Sequence, residues 1–289
     1  MTVPEPVAPE VPAPKPLVPG VASALSPLVR RILAPNPGVM TGPGTNTYLV
    51  GIDEVAVIDP GIEDAGHLEA IAGCGGDRIR WILCSHTHPD HSPGAAALKE
   101  RTGAEVLAFD SRDGLEVDTA IGEGFQIEAT EFRLTARHTP GHASNHLCYL
   151  LEEERLLFSG DHIMQGSTVV IAPPDGDMSA YLASLERLKT MRLRAIAPGH
   201  GHIIDTPAVV IDDYITHRLE REQQVLAALA AGDSAIEAIV ARLYVGLIDE
   251  LVPRARQSVH AHLRKLAAEG RATTPNIDDE SSIWTSSSR

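Results

Sequence analysis

The sequence predicts an α/β domain made of two sheets packed face to face with helices outside, followed by a small helical domain. Over the first 205 residues, apolar strand-like runs alternate with helical patterns in two sections, which suits two packed sheets. After Thr206 the pattern becomes wholly helical. The chain has 289 residues and is 43% hydrophobic, which is enough for a substantial core in one large or two smaller domains.

The elements of the two sections follow from apolar runs bounded by Gly, Pro and polar turns. The first section has predicted strands at 48–50, 55–58, 79–84 and 105–109, and helices at 63–72 and 94–101. The second section has shorter strands, predicted at 126–129, 132–136, 147–151, 156–158 and 194–197. A helix opens there at Met178, because apolar side chains follow at helical spacing.

Domain boundaries come from shifts in composition. Residues 1–20 are rich in proline and are predicted to be disordered or to form a polyproline-II segment. Residues 21–205 form the predicted α/β domain, and residues 206–273 the helical domain, with long helices at 211–231 and 254–269. Glycines end both helices. The serine-rich residues 274–289 are predicted to be a flexible tail.

Charge and composition limit the binding partners and the cellular location that can be expected. A net charge of -15 opposes non-specific binding to nucleic acids or anionic membranes. No run of 18 apolar residues is present, so no membrane span is expected. The N-terminus lacks the basic and apolar regions of a secretory signal, and the three cysteines have no metal-ligand spacing. These features predict a cytoplasmic protein that does not bind membranes.

One short segment carries most of the chemistry. Directly after the apolar run 79–84, the chain places His86, His88, Asp90 and His91 within six residues. Neutral imidazoles and carboxylates together suit Zn²⁺ or a similar ion. Four such groups exceed what one catalytic zinc needs, so the segment predicts two metal ions.

A site for two metals needs further donors from other strand ends. His142, Asp161 and His200 each follow a predicted strand, and a glycine directly precedes each of them. Glycine lets the backbone turn tightly, and sites in open sheets commonly lie at strand ends. His202 is the nearest rival of His200, but the Pro-Gly-His-Gly turn favours His200 and leaves His202 as a residue near the substrate.

These donors, with Asp59 ahead of them, follow one another in an order that resembles the metallo-β-lactamase superfamily. The resemblance covers about residues 20–205 and implies a four-layer αββα sandwich with its metal site at one edge. It also implies that Asp59 orients the ligands and that Asp161 bridges two metal ions. The first ion would be bound by His86, His88 and His142, and the second by Asp90, His91 and His200.

Two further stretches are similar to the lactamase-β-like protein 2 group within this superfamily. They are the segment from Gly42 to Val50 and the segment from Pro173 to Met178. This group also has a C-terminal helical, winged-helix-like domain, which matches the helical residues 206–273. Animal members of the group are reported to cleave single-stranded RNA, so the resemblance implies RNA as one candidate substrate.

The predicted function is a binuclear zinc hydrolase, with manganese or iron as alternative metals. Two ions can hold a hydroxide between them that attacks an ester-type bond, and Asp90 can orient that nucleophile. The predicted substrate is a phosphodiester in single-stranded RNA or a small-molecule thioester. Asp161 as a bridge argues against a true β-lactamase, because lactamase sites generally lack a bridging carboxylate there.

Two alternatives remain open at this stage. One is β-lactam or lactone hydrolysis, as a main or a promiscuous activity. The other is a non-catalytic module that binds nucleic acid or protein through the C-terminal domain. That domain has nearly balanced charges rather than a basic face, which argues against DNA binding. The sequence does not indicate an oligomeric state.

Overall fold

The computed structural model describes residues 16–166 and 168–287. A seven-stranded sheet follows the order of the chain, and its first three strand pairs are antiparallel and its last three parallel. Its strands are β1 (Ser23–Ala24), β2 (Val29–Leu33), β3 (Asn46–Val50), β4 (Val55–Ile58), β5 (Ile79–Leu83), β6 (Glu105–Ala108) and β7 (Thr119–Ala120).

A second sheet of five strands is built from the second section of the domain. Its strands are β8 (Gln126–Glu128), β9 (Arg133–His138), β10 (Leu147–Leu151), β11 (Leu156–Gly160) and β12 (Ala195–Pro198). They lie in the order β12-β11-β10-β9-β8, and only the β11–β12 pair is parallel. The predicted strands therefore all form, and their ends shift by two residues at most.

Six α-helices accompany the sheets in the described residues. They are α1 (Ala65–Gly75), α2 (Gly94–Thr102), α3 (Met178–Lys189), α4 (Pro207–Ala230), α5 (Ile236–Leu243) and α6 (Val252–Ala268). Asp64 and Asp177 cap the N-termini of α1 and α3, where their side chains accept hydrogen bonds from backbone N–H groups. Gly103 ends α2 in the left-handed conformation that glycine adopts without strain.

Three apolar cores divide the α/β domain into layers. Between the two sheets, Tyr48 and Ile58 of the first sheet belong to one buried cluster with Tyr149 and Phe158 of the second. The outer face of the first sheet packs against α1 and α2, and the outer face of the second sheet against α3 and α4. The order of layers is therefore helix, sheet, sheet, helix, and the predicted four-layer αββα sandwich is confirmed.

The C-terminal part packs around its own core, in which Val225, Ile239 and Leu263 belong to α4, α5 and α6. A two-stranded sheet of β13 (Ala272–Thr273) and β14 (Thr285–Ser286) completes it. This arrangement of helices and a small antiparallel sheet confirms the predicted winged-helix-like domain.

Residues 274–287 differ from the predicted flexible tail over 274–289, of which residues 288–289 lie outside the described ones. Thr285–Ser286 pairs with Ala272–Thr273, and Trp284 is only 1% exposed in the C-terminal core. Burying one indole removes a large apolar area from water, which outweighs the serine-rich composition of the neighbouring residues. The segment up to Ser287 is thus an integral part of the small domain.

The N-terminal prediction concerns residues of which only a part is described. Residues 1–15 of the predicted proline-rich lead-in lie outside the described residues. At the end of the lead-in, Gly20 N donates a hydrogen bond to Leu33 O at 2.9 Å, so this end is joined to β2. Among the helices of the described chain, none is both long and apolar enough to cross a membrane.

Candidate metal centre

Five strands deliver the predicted site residues to one edge of the sandwich. β4 and β5 run parallel, and β9 and β11 have the same direction because each is antiparallel to β10. Within each sheet, the polar side chains therefore follow strand ends that point the same way. In order, these are Asp59 after β4, the segment from His86 to His91 after β5, His142 after β9, Asp161 after β11 and His200 after β12.

Three histidines form a first group. His86, His88 and His142 each direct one ring nitrogen to a common point, where these atoms lie within 4.8 Å of one another. His88 Nδ1 is 2.9 Å from His86 Nε2 and 2.9 Å from His142 Nε2. Three convergent imidazole nitrogens are a ligand set typical of zinc.

A second group contains two carboxylates and two histidines, and its four ligand atoms also lie within 4.8 Å of one another. His200 Nε2 lies 3.1 Å from Asp90 Oδ2 and 3.2 Å from Asp161 Oδ1. His91 Nε2 lies 3.4 Å from the same two oxygens. The group offers both oxygen and nitrogen ligands around one point.

Asp161 joins the two groups. Its Oδ1 faces the histidines of the second group, whereas its Oδ2 lies 3.8 Å from His142 Nε2 in the first. The two oxygens of one carboxylate thus face different ligand groups.

The far nitrogens of the histidine rings are held by the protein. His142 Nδ1 donates to Val170 O at 2.7 Å, and His200 Nδ1 donates to Gly44 O at 3.1 Å. Such contacts fix which ring nitrogen stays free as a ligand and how the ring is turned. The free nitrogens of both rings point into the site.

Asp59 holds the segment that carries the first histidines. Its Oδ1 accepts from Ser85 N at 2.6 Å, and its Oδ2 accepts from Ser85 Oγ at 2.7 Å and lies 2.9 Å from His91 Nδ1. Ser85 Oγ in turn is 3.0 Å from His86 Nδ1. Asp59 has a φ of 51°, a left-handed conformation that Asp tolerates better than most residues. Through these contacts one buried carboxylate reaches a histidine of each group.

Burial keeps the histidines of the first group neutral. Burial, together with the neighbouring His142 and His91, lowers the pKa of His88 to about 4. The pKa of His86 is well below its usual value for the same two reasons, and burial also lowers the pKa of His142. Neutral imidazoles are ready to bind a metal without losing a proton.

The second group has the opposite electrostatics. Burial opposes a charge on His200, but Asp161 and Asp90 outweigh it and raise the pKa of His200 to about 9. The same carboxylates, with Asp59, raise the pKa of the buried His91 well above its usual value. Burial would raise the pKa of Asp161, yet His91 and His200 hold it well below its normal range. Two protons here balance two carboxylates.

The donor atoms of the second group fit a cation. His91 Nε2 and Asp161 Oδ1 are buried and lie 3.4 Å apart, but neither atom completes a hydrogen bond within the described chain. Buried polar atoms are nearly always satisfied, so such orphaned atoms in one cluster need an explanation. A metal ion that binds both of them would provide it, and the chemistry of the donor set agrees.

The glycines directly before His142, Asp161 and His200 are required for two different structural reasons. Gly141 and Gly160 adopt positive φ angles of 143° and 46°, which supports the predicted tight turns. Gly199 is needed for space instead, because a Cβ there would lie 2.7 Å from Asp161 Oδ1 and 2.8 Å from His91 Cε1. The turn that presents His200 therefore passes directly behind the second group.

Asn46, the first residue of β3, holds that turn in place, a role that the sequence did not reveal. Asn46 Nδ2 donates to Pro198 O and to Gly201 O, both at 2.9 Å, and Asn46 N donates to Gly199 O at 2.8 Å. The partners are more than 150 residues apart, so no local pattern could indicate the contact.

His202 belongs to neither group. It is half-buried, and its backbone N lies 3.5 Å from Gln165 Oε1. A cavity of about 260 Å³ opens over both groups, and His202 is not among the residues that line it. The lining combines His88, Asp90, His142 and Asp161 with a mainly apolar wall of Met40, Pro89, Met164, Val169, Val170 and Ala172, and with Asp175 and Arg254.

The family model described as the metallo-beta-lactamase superfamily matches residues 40–200. The chain belongs to this superfamily. A second model, a beta-lactamase associated winged helix domain, matches residues 235–284. The superfamily match covers the strand ends and every residue of the two ligand groups.

Curated relatives cover most of the chain. A beta-lactamase-like protein 2 homolog from Caenorhabditis elegans is 30% identical over 91% of this chain and 92% of the relative. The protein of the same name from Drosophila melanogaster is 33% identical over 91% of this chain and 96% of the relative. The predicted resemblance to this group is thereby confirmed. An atrochrysone carboxyl ACP thioesterase from Aspergillus fumigatus is 34% identical over 71% of this chain and 66% of the relative.

Solved structures share the fold across both domains. A beta-lactamase domain protein from Burkholderia ambifaria superposes with a TM-score of 0.80 at 21% identity, covering 93% of this chain and 95% of its own. A metallo-beta-lactamase family protein from Thermus thermophilus superposes with a TM-score of 0.77 at 21% identity, covering 91% of this chain and 100% of its own.

Proposed function

We propose that the protein is a hydrolase that binds two zinc ions and cleaves an ester-type bond, with a small-molecule thioester as its substrate class. The observation that carries this proposal is the position of Asp161, whose two oxygens face different ligand groups. A carboxylate in this position suits a pair of ions that share one ligand. Membership of a superfamily that typically contains hydrolases supports the reaction class.

Each residue has a defined task in this proposal. His86, His88 and His142 would hold one ion, the second group would hold the other, and Asp161 would bind both. When bound, the ions would lower the pKa of a water and polarise the oxygen of the scissile bond.

Asp90 lines the cavity, and its side chain is 24% exposed. We assign it the role of accepting a hydrogen bond from the attacking water and directing that water to the substrate. Asp59 would keep His91 and the Ser85 segment in position.

Three observations favour a thioester over single-stranded RNA. The cavity wall beside the ligand groups is mainly apolar, whereas a polynucleotide track would be basic and aromatic. The net charge of -15 opposes a polyanion. A relative that shares 34% identity is named as a thioesterase.

The test of this proposal is a panel of substrates on zinc-loaded protein whose metal content has been measured. A thioester, a phosphodiester reporter, single-stranded RNA and a chromogenic cephalosporin would be compared by kcat/KM. We expect the thioester to give the highest value. Faster hydrolysis of RNA or of the cephalosporin would replace the substrate assignment, and no turnover with two zinc ions bound would favour a non-catalytic binding module.

A substitution separates the role of Asp90 as a ligand from its role in orienting water. Asp90→Asn keeps an oxygen for the metal but weakens the acceptor, so turnover should fall by about 10²-fold or more while most metal is retained. Asp175→Asn is a matched control, because Asp175 lines the same cavity but belongs to neither group. Equal losses of metal and turnover in Asp90→Asn would contradict the orienting role.

A further inference from the structure

A second cavity continues the one over the ligand groups. It has a volume of about 280 Å³ and lies between the segment around Val169 and the helices α4 and α6. The two cavities share five lining residues, Met40, Met164, Val169, Val170 and Arg254. They form one cleft, here called the extended cleft, which leads from the ligand groups to the C-terminal domain.

Three arginines line the far part of the extended cleft. Arg218 and Arg221 lie on α4, and Arg254 lies on α6. Within the described chain, none of these three forms an ion pair with a carboxylate. Other cations of the same domain are paired, as Arg256 with Glu237 at 2.7 Å and Lys265 with Glu222 at 2.6 Å. The farther cavity therefore concentrates positive charge, and no carboxylate of the described chain lines it.

The burial of the Arg218 charge destabilises the protein as long as no anion is bound. It is only 2% exposed, its guanidinium lies 5.4 Å from the Tyr181 ring centroid, and its Nε has no hydrogen-bond partner within the described chain. One of its terminal nitrogens donates to Val169 O. A buried charge is expensive unless an opposite charge or hydrogen bonds compensate it. An anion in the adjoining cavity would supply that compensation.

The other two arginines are well placed to contact the same anion. Arg221 stacks on Tyr244 at 4.3 Å, a cation–π contact that restrains its direction. Arg254 lines both cavities, so it stands where they meet, and it donates to Gln257 Oε1 at 3.0 Å. Asp175, a carboxylate of the nearer cavity outside the ligand groups, is already paired with Arg112 at 3.1 Å.

We propose that the extended cleft binds a substrate with one anionic group, a carboxylate or a phosphate, at the end remote from the scissile bond. The arginines would bind the anion, and an aliphatic part of the substrate would lie on Met40, Met164 and Leu247. Arg218 and Arg221 line only the farther cavity and Arg254 stands where the two cavities meet, so the positive charge is gathered at one end of the cleft. This suits one terminal charge rather than the evenly charged backbone of a polynucleotide. This inference rests on the proposed hydrolase and specifies its substrate class.

The test compares three thioesters on the zinc-loaded full chain. Their short aliphatic acyl chains are equal in length and end in a carboxylate, a phosphate or a neutral carboxamide. A hydrogen bond to a charged group contributes about 1.5–3 kcal/mol, so at least one anionic thioester should exceed the carboxamide in kcat/KM by about 10-fold or more. The better of the two anions identifies the terminal group.

Arg254→Gln and Arg221→Gln should each reduce the ratio of kcat/KM for the preferred anion to that for the carboxamide, by about 10-fold. Arg256→Gln is the matched control, because Arg256 lies on α6 but pairs with Glu237 away from the extended cleft. It should leave the ratio unchanged. A wild-type ratio near one, or a ratio that neither cleft variant changes, would overturn the proposal.

Equilibrium dialysis separates failure of this inference from failure of the proposed hydrolase. If no thioester is turned over, the carboxylate and phosphate thioesters can be tested as ligands of wild type and of Arg254→Gln. Tighter binding to wild type would support the anion site although the hydrolase proposal had failed. Equal dissociation constants in the two proteins would refute the anion site itself.

Discussion

The two ligand groups meet at the same edge of the sandwich but differ in charge. The first consists of three histidines whose pKa values are all lowered, so its nitrogens are free at neutral pH. The second holds two ionised carboxylates and two histidines with raised pKa values. The difference teaches that neighbouring ligand groups of one site can have opposite protonation states. The first group is ready to bind a cation, whereas a cation must displace protons from the second.

Removing the shared carboxylate should have the largest effect on this comparison. Asp161→Ala takes away the residue whose oxygens face both groups, so we expect loss of one ion, from the second group. Turnover should fall by about 10³-fold, because a metal ion contributes several kcal/mol to stabilising the transition state. Metal analysis of the purified variant, with Asp175→Asn as the control, checks the stoichiometry. Two tightly bound ions in Asp161→Ala would show that Asp161 is not a bridge.

A change at Asp59 should affect the two groups unequally. Asp59→Asn tolerates the left-handed backbone but weakens the contact with His91, which is direct, more than the contact with His86, which runs through Ser85. The affinity for the second ion should fall about 10–100-fold, and the affinity for the first should fall less. Competition with a chelator measures both constants. Asp177→Asn is the control, because Asn also caps helices well; an equal loss at both groups would contradict the account.

The smallest effect is a difference in pH dependence. His200, with a pKa of about 9, binds a proton at neutral pH that a metal must displace, whereas His88, with a pKa of about 4, does not. Between about pH 6 and pH 8, the affinity of the second group should rise about tenfold per unit for each proton released, while that of the first stays constant. Calorimetric titration in buffers of different ionisation enthalpy counts the protons. Equal proton release for both ions would contradict the difference.

The sequence allowed prediction of the site because its signals are local. His86 to His91 lie within one turn after a strand, and glycines mark the turns before His142, Asp161 and His200. The resemblance added Asp59 and the assignment of the ligands to two metal positions. Local patterns of this kind persist in the fold, because the direction of a strand determines where the residues after it lie.

What the sequence did not reveal depends on contacts between distant residues. Trp284 stands in a serine-rich stretch, and only the core that it enters shows that this stretch packs against the small domain. Asn46 contacts the turn of His200 across about 150 residues. Arg218, Arg221 and Arg254 look like ordinary helix residues in the sequence, because the nearly balanced charges of the C-terminal domain do not show which arginines lack partners.

Diffraction at the zinc absorption edge from crystals of the zinc-loaded protein tests the central claim most directly. We expect two anomalous peaks, one among His86, His88 and His142 and one among Asp90, His91 and His200, with an Asp161 oxygen as ligand to each. A single peak among the three histidines, with Asp161 turned away from it, would contradict the account of a two-ion centre.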